Sequence, residues 1–322
     1  MKSQILKLEL PVPYPVATVN AYFIDGPEPT LVDTGLYWEK SLQALNEQLN
    51  KNGRRLTDIR RILLTHDHLD HAGAALYLSQ LCKATLYAHK KSMVLAPYSQ
   101  EMQERLFTFL LRCGTPRELM ERRMLKAFSQ ARYFVNLDAK PHALEWLEGG
   151  ETINCGGLPL EAISTPGHSP DHLCFFDQAS GVIFCGDMLI GHITPNPLLY
   201  LDPNDEYRRS PSLLNYIDSL AKLQALRLTL GYPGHGQNID DFQGLIAKNQ
   251  AFIEQRQKIF LEKIAQGSRV PYELARAVFG EINPMEQYLA VSETIAYLDL
   301  LERDRKITVD WNGDPITIRP RA

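Results

Sequence analysis

Two hydrophobic periods alternate along the chain, and the switches between them mark its segments. Around 8–32, short apolar runs at 20–24 (NAYFI) and 30–32 (TLV) flank the turn-rich DGPEP, a pattern of antiparallel strands. Over 38–49, Leu42, Leu45 and Leu49 recur at helical spacing, while 59–65 (IRRILLT) reads as a buried strand and 86–88 as a shorter one. From 92 to 135 the period is helical. Inside that stretch Gly114-Thr115-Pro116-Arg117-Glu118 predicts a break: a glycine stop, a threonine cap, a proline in the first turn and a glutamate completing a capping box. A helical hairpin is therefore expected between two β-rich halves. Strand patterns resume at 152–163, 172–176 and 182–185, followed by a helix over 212–225 and a strand at 228–230.

After 241 the pattern changes again, to helices over 244–265, from Pro271 and over 284–303, then ITVDWNGDPITI, a hairpin turning at Asn312-Gly313. Three helices and a hairpin outline a small winged-helix-like domain at 241–322. It would be appended to a body at 1–240 that carries the helical insertion at 92–146, a division that suits 322 residues. Hydrophobic residues at 44% and charged ones at 22% exclude a disordered chain. The net charge of −4 gives no general attraction to nucleic acid or an anionic membrane. Nor does the C-terminal segment, where 11 Lys and Arg face 12 Asp and Glu, and Glu286, Glu293, Asp299 and Glu302 precede Arg303. An acidic recognition helix would repel phosphates, so this segment is expected to pack on the body or form a homodimer, with nucleic acid not a partner. Five scattered cysteines suggest reduced thiols. With no signal-peptide core and no run of about 18 apolar residues, a cytoplasmic protein with no membrane span is expected.

The chemistry concentrates at Thr65-His66-Asp67-His68-Leu69-Asp70-His71. A lone loop histidine is usually solvated or hydrogen-bonded, but His and Asp this dense form a metal-ligand set, since imidazole and carboxylate are zinc's ligands. His66 and His68 would address one ion, Asp70 and His71 a second. A catalytic zinc needs about three protein ligands and an open position, so further ligands must come from later loops. The candidates are His168 in TPGHS, Asp187 in CGD and His235 in PGH, each after a strand-like run and beside a glycine that lets the backbone turn inward. His89, His142 and His192 lack ligand-type neighbours and read as bystanders, His192 the nearest to Asp187. Ser169 and His172 read as structural loop residues and Cys185 as strand packing.

His66-x-His68-x-Asp70-His71 resembles the HxHxDH signature of the metallo-β-lactamase superfamily, a likeness that runs from about 8 to 236. It implies an α+β fold, a four-layer αββα sandwich with pseudo-symmetric halves. It also implies that His66, His68 and His168 hold one metal, Asp70, His71 and His235 the other, and that Asp187 bridges them. Asp33 in LVDTG matches the family's strand-end carboxylate, which supports the ligands from behind. Two Zn2+ per chain are the expected cofactors, with iron and manganese as alternatives at such donors. The chemistry implied is attack by a metal-bridging hydroxide, with Asp70 orienting the water or accepting its proton.

Branches of this family differ in substrate. Ile190 stands where related lactonases often carry tyrosine, which weakens the lactone reading, and a complete ligand set argues against one-iron persulfide oxidation. The expected function is dinuclear hydrolysis of a small, possibly anionic, ester, thioester or lactone. A metal-dependent endoribonuclease or phosphodiesterase is the alternative, and a non-enzymatic, metal-stabilised binding protein the third. Between 92 and 140, Arg105, Arg112, Arg117, Arg122, Arg123, Lys126, Arg132 and Lys140 outnumber five acidic residues, among Phe107, Phe109, Phe128, Tyr133 and Phe134. These residues make either a cationic lid facing an anionic substrate or, as helical aromatics more often do, a packing face turned to the body.

Overall fold

The structure, a computed structural model, describes residues 4–14, 16–95, 100–121, 135–136, 138–202, 205–281 and 286–321. One sheet runs in chain order through β1 (Ile5–Pro11), β2 (Thr18–Ile24), β3 (Thr30–Val32), β4 (Arg61–Leu63), β5 (Thr85–His89) and β6 (Ala143–Leu147). Its first three strands are antiparallel and the rest parallel. The other sheet contains β7 (Thr152–Cys155), β8 (Leu158–Ser164), β9 (Leu173–Asp177), β10 (Val182–Gly186) and β13 (Leu230–Pro233), ordered β13-β10-β9-β8-β7.

The period-two pattern explains the layering. Along β2, Tyr22 and Ile24 join Phe175 and Phe184 of the second sheet, whereas Val19, Ala21 and Phe23 join Leu45, Leu49 and Leu78 of the helices Glu39–Lys51 and Ala75–Cys82. On the second sheet Cys174, Phe176, Ile183 and Cys185 point the other way, against Leu213, Tyr216 and Leu220 of the helix Ser212–Gln224. Alternation thus sends each strand's apolar residues to both faces, and helix, sheet, sheet and helix stack as the expected αββα sandwich. Burial of each such large side chain contributes about 1.5–3 kcal/mol.

The differences are local. The strand expected at 228–230 is displaced to Leu230–Pro233, and β6 and the hairpin of β11 (Leu201–Asp202) and β12 (Asp205–Arg209) had no sequence counterpart. In the insertion, the helix Gln100–Arg112 ends as expected at Gly114, whose φ of 84° is left-handed. A second helix starts at 117, but the Thr115 hydroxyl is buried with no hydrogen-bond partner, so the expected threonine cap is not made; the Pro116 carbonyl accepts from Leu119 and Met120 instead. Phe109 is buried in the core, Arg105 donates to the Asp202 carbonyl at 2.7 Å, and Arg112 donates to Trp311 and Gly313 carbonyls. These side chains serve packing, the second of the two readings. Phe128, Tyr133, Phe134, Arg122, Arg123, Lys126 and Arg132 lie outside the described residues.

The C-terminal helices Phe242–Ala265, Pro271–Phe279 and Gln287–Arg303 precede β14 (Ile307–Asp310) and β15 (Thr317–Pro320). Asp241 caps the first by accepting from the Gly244 amide at 2.8 Å, and Pro271 opens the second. The hairpin's last pair is Asp310 and Thr317, so Asn312-Gly313 lies at its turn as expected, within a loop that spans 311–316. Phe260, Tyr297, Leu301 and Ile316 share one core with Leu213, Tyr216 and Leu220 of the body. Three acidic residues of the last helix face partners within the fold. Glu293 pairs with Arg256 at 3.4 Å, Asp299 with Arg209, and Glu302 accepts from Trp311 at 2.9 Å, because the helix is buried on most sides. Among the described residues no helix is long and apolar enough to cross a membrane, and all five cysteines are buried free thiols.

Candidate metal centre

The expected ligands come from loops following strands at one edge of the two sheets. Asp33 follows β3, the His66–His71 run follows β4, His168 follows β8, Asp187 follows β10 and His235 follows β13. Parallel pairing of β3 with β4 and of β10 with β13 brings those strand ends level. Cross-sheet bonds from the Asn20 amide to the Gly234 carbonyl (2.7 Å) and from the Leu173 amide to the Thr65 carbonyl (2.7 Å) hold the two edges together.

All seven residues converge. His68 Nδ1 lies 2.9 Å from His66 Nε2 and 2.9 Å from His168 Nε2. His235 Nε2 lies 3.5 Å from both Asp70 Oδ2 and Asp187 Oδ2, and Asp187 also faces His71 Nε2 at 3.4 Å and His168 Nε2 at 3.6 Å. Three groups of donors fall within 4.8 Å of one another: His66, His68 and His168; Asp70, His71 and His235; and His66, His71 and Asp187. Asp187 therefore stands between the first two groups.

Each histidine is also gripped from behind. His71 Nδ1 meets Asp33 Oδ2 at 2.8 Å, and His235 Nδ1 meets the Thr18 carbonyl at 2.8 Å. His168 Nδ1 meets the Asn196 carbonyl at 3.1 Å and His68 Nε2 meets the Tyr200 hydroxyl at 2.6 Å. His66 Nδ1 meets Thr65 Oγ1 at 3.1 Å, and that hydroxyl donates to Asp33 at 2.8 Å. Among His66, His68 and His168, oxygens on the outer nitrogens favour the neutral ring with its lone pair turned inward, so the inner nitrogens face one another. Facing lone pairs at this distance repel unless a cation lies between them. The buried His71 Nε2 and Asp187 Oδ1 also lack any hydrogen-bond partner. This donor set fits divalent transition ions.

Electrostatics divide the cluster. Burial, reinforced by His168, lowers His68 to about 3, and burial likewise lowers His66 and His168, leaving all three neutral. Burial would also lower His71 and His235, but carboxylates outweigh it: Asp187, Asp33 and Asp70 raise His71, and Asp187 and Asp70 bring His235 to about 10. Burial would raise Asp70 and Asp187, yet the charge on His71 and hydrogen bonds from His235 hold Asp70 at about 2 and Asp187 well below the usual range.

The other singled-out residues stay outside the cage. His89 Nδ1 accepts from the Lys91 amide, the His142 amide donates to Ser79, and His192 is exposed beside Gly236. Ser169 donates to Asp171 at 2.6 Å; His172 bonds Thr165 at 2.9 Å and accepts from the Asp187 amide at 3.1 Å, holding that loop. Cys185 and Ile190 are buried. The sequence reading missed Thr65, Asn196 and Tyr200, and it missed the Thr18 carbonyl. Thr65 abuts the histidine run, a usable signal; Asn196 and Tyr200 sit in ITPNPLLY, which carries none.

Comparison with known proteins agrees with this geometry. The metallo-beta-lactamase superfamily profile matches residues 14–235. The chain is 28% identical to the Bacillus subtilis protein named "Probable metallo-hydrolase YqjP", over 97% of this chain and 96% of that one. It is 27% identical to the Aspergillus fumigatus "Atrochrysone carboxyl ACP thioesterase", over 82% of this chain and 69% of that one. The crystal structure of the metallo-beta-lactamase family protein TTHA1429 from Thermus thermophilus superposes with a TM-score of 0.82 at 28% identity, covering 98% of both chains. The chain belongs to the metallo-beta-lactamase superfamily and is a metal-dependent hydrolase.

Proposed function

We propose that this hydrolase is dinuclear and cleaves a small thioester or ester. His66, His68 and His168 would hold one ion, Asp70, His71 and His235 the other, and Asp187 both; zinc suits these donors best, with iron and manganese as the alternatives. The observation that carries this reading is the pairing of inward donors with outward oxygens on all five histidines. Two such ions supply Lewis acidity, which makes water nucleophilic near neutral pH and polarises a carbonyl.

The protein's own contribution is placement and proton handling. Asp70 stays ionised beside His235 Nε2, so its carboxylate can orient a water or take its proton. Asp33 fixes His71 directly and His66 through Thr65. No serine or cysteine nucleophile is required, and burial raises the Cys185 thiol well above its ordinary value. The similarity to a fungal acyl-carrier thioesterase supports the thioester choice. A ribonuclease gains less support, because the last helix is spent on packing.

The test is hydrolysis of a panel of acyl thioesters, p-nitrophenyl esters, lactones and phosphodiesters, before and after metal removal and with zinc restored. Thioester or ester turnover that disappears with the metal and returns with zinc is expected. Phosphodiester turnover alone, or activity that survives verified removal, contradicts the proposal.

A further inference from the structure

Two histidines of the cage, His68 and His168, are gripped by a different part of the chain from the rest; His66 shares Asp33 with His71 through Thr65. Asp33 and the Thr18 carbonyl, behind His71 and His235, belong to β2 and the end of β3, within a hydrogen-bonded sheet. The Asn196 carbonyl and the Tyr200 hydroxyl, behind His168 and His68, belong to 194–200, which has no regular secondary structure. The Tyr200 carbonyl accepts from the Ser210 amide at 2.8 Å; the rest of the segment has no ladder and is tied to the helices around it by hydrogen bonds that involve side chains. Tyr288, in the first turn of Gln287–Arg303, donates its hydroxyl to the Leu199 carbonyl at 2.9 Å. The Asn196 amide reaches the Leu289 carbonyl at 3.5 Å. Thr194 donates to the buried Asn249 of Phe242–Ala265 at 2.9 Å, and Ser212 donates to the Leu198 carbonyl at 2.5 Å. Further along, Arg209 pairs with Asp299 of the same last helix.

From these contacts we infer that the C-terminal helices are a positioning element for the three-histidine half of the metal centre, acting through Tyr288, Leu199 and Tyr200 on His68. The inference rests on the dinuclear reading above. Tyr288 and Tyr200 are positioning residues that act through a ligand. Loss of a group that orients a metal-bound histidine typically weakens metal affinity about 10–100-fold. Because only one half of the cage depends on 194–200, the loss should fall on one ion.

The experiment is zinc titration of metal-stripped full-length protein against a chromophoric chelator, with cobalt(II) spectra of the same samples, for the wild type, Tyr200→Phe and Tyr288→Phe. Both substitutions keep the ring and remove only the hydroxyl. The wild type is expected to take two equivalents. Tyr200→Phe should weaken one of them roughly 10–100-fold and leave the other unchanged, altering the cobalt spectrum of that equivalent. Tyr288→Phe should weaken the same equivalent by a smaller factor. If Tyr288→Phe keeps both affinities, or either variant weakens the two equally or lowers only the melting temperature, the inference is overturned. A wild type that takes fewer than two equivalents overturns the dinuclear reading, and the inference with it.

Discussion

Asp33 Oδ2 meets His71 Nδ1 at 2.8 Å, and that contact aims His71 Nε2 at Asp187 Oδ1, 3.4 Å away. Asp33 does this from a φ of 59°, a left-handed conformation that aspartate and asparagine tolerate better than most residues. Asp33→Asn should therefore keep the backbone while removing the charge and one acceptor. We predict a loss of about 10–100-fold in affinity for the ion that His71 would hold, measured by chelator competition.

The two sets of histidines titrate in opposite directions in metal-free protein. His235, raised from 6.5 to about 10, contributes stability that is complete below 6.5 and is lost as pH rises through about 10. His68, lowered from 6.5 to about 3, contributes stability that is complete above 6.5 and declines as pH falls from there toward about 3. The melting temperature of the stripped protein should fall on both sides of about pH 6.5. Loading at neutral pH should release protons from His71 and His235 and none from the other three histidines, as read by calorimetry in buffers of different ionisation enthalpy.

Arg209 joins the body to the C-terminal segment. Its guanidinium lies 3.5 Å over the Trp311 ring and pairs with Asp299, whose carboxyl burial pushes up to about 6 against the pull of Arg209. Arg209→Ala leaves that carboxylate buried and alone, at an expected cost of about 3–5 kcal/mol in urea unfolding. Adding Asp299→Asn should recover part of the loss.

Gly234 precedes His235 in the PGH turn, and a Cβ there would lie 2.2 Å from Asp187 Oδ1 and 2.5 Å from His71 Cε1. No rotamer of alanine relieves a clash at Cβ itself. Gly234→Ala should therefore abolish uptake of at least one ion while far-ultraviolet circular dichroism stays that of the wild type.

The layering and the seven donors were legible because each leaves a local mark: short apolar runs in β2 and β3, helical spacing in Leu42, Leu45 and Leu49, and ligand types beside glycines at strand ends. What stayed hidden depends on partners distant in the chain. β6 was obscured at a sheet edge, where Glu145 and Trp146 are exposed and no apolar run is needed. The β11 strand, Leu201–Asp202, is too short to show a period. The acidic residues of the last helix read only as a barrier to phosphate because Arg209 and Arg256, which pair with two of them, are far away in sequence. Tyr200 and Asn196 take their meaning from histidines more than twenty residues away.

Anomalous diffraction at the zinc edge from crystals of zinc-loaded protein tests the central claim most directly. Two peaks per chain are predicted, roughly 3.5–4 Å apart, one among His66, His68 and His168, the other among Asp70, His71 and His235, with Asp187 touching both. A single peak, or zinc bound elsewhere while this cage stays empty, would contradict it.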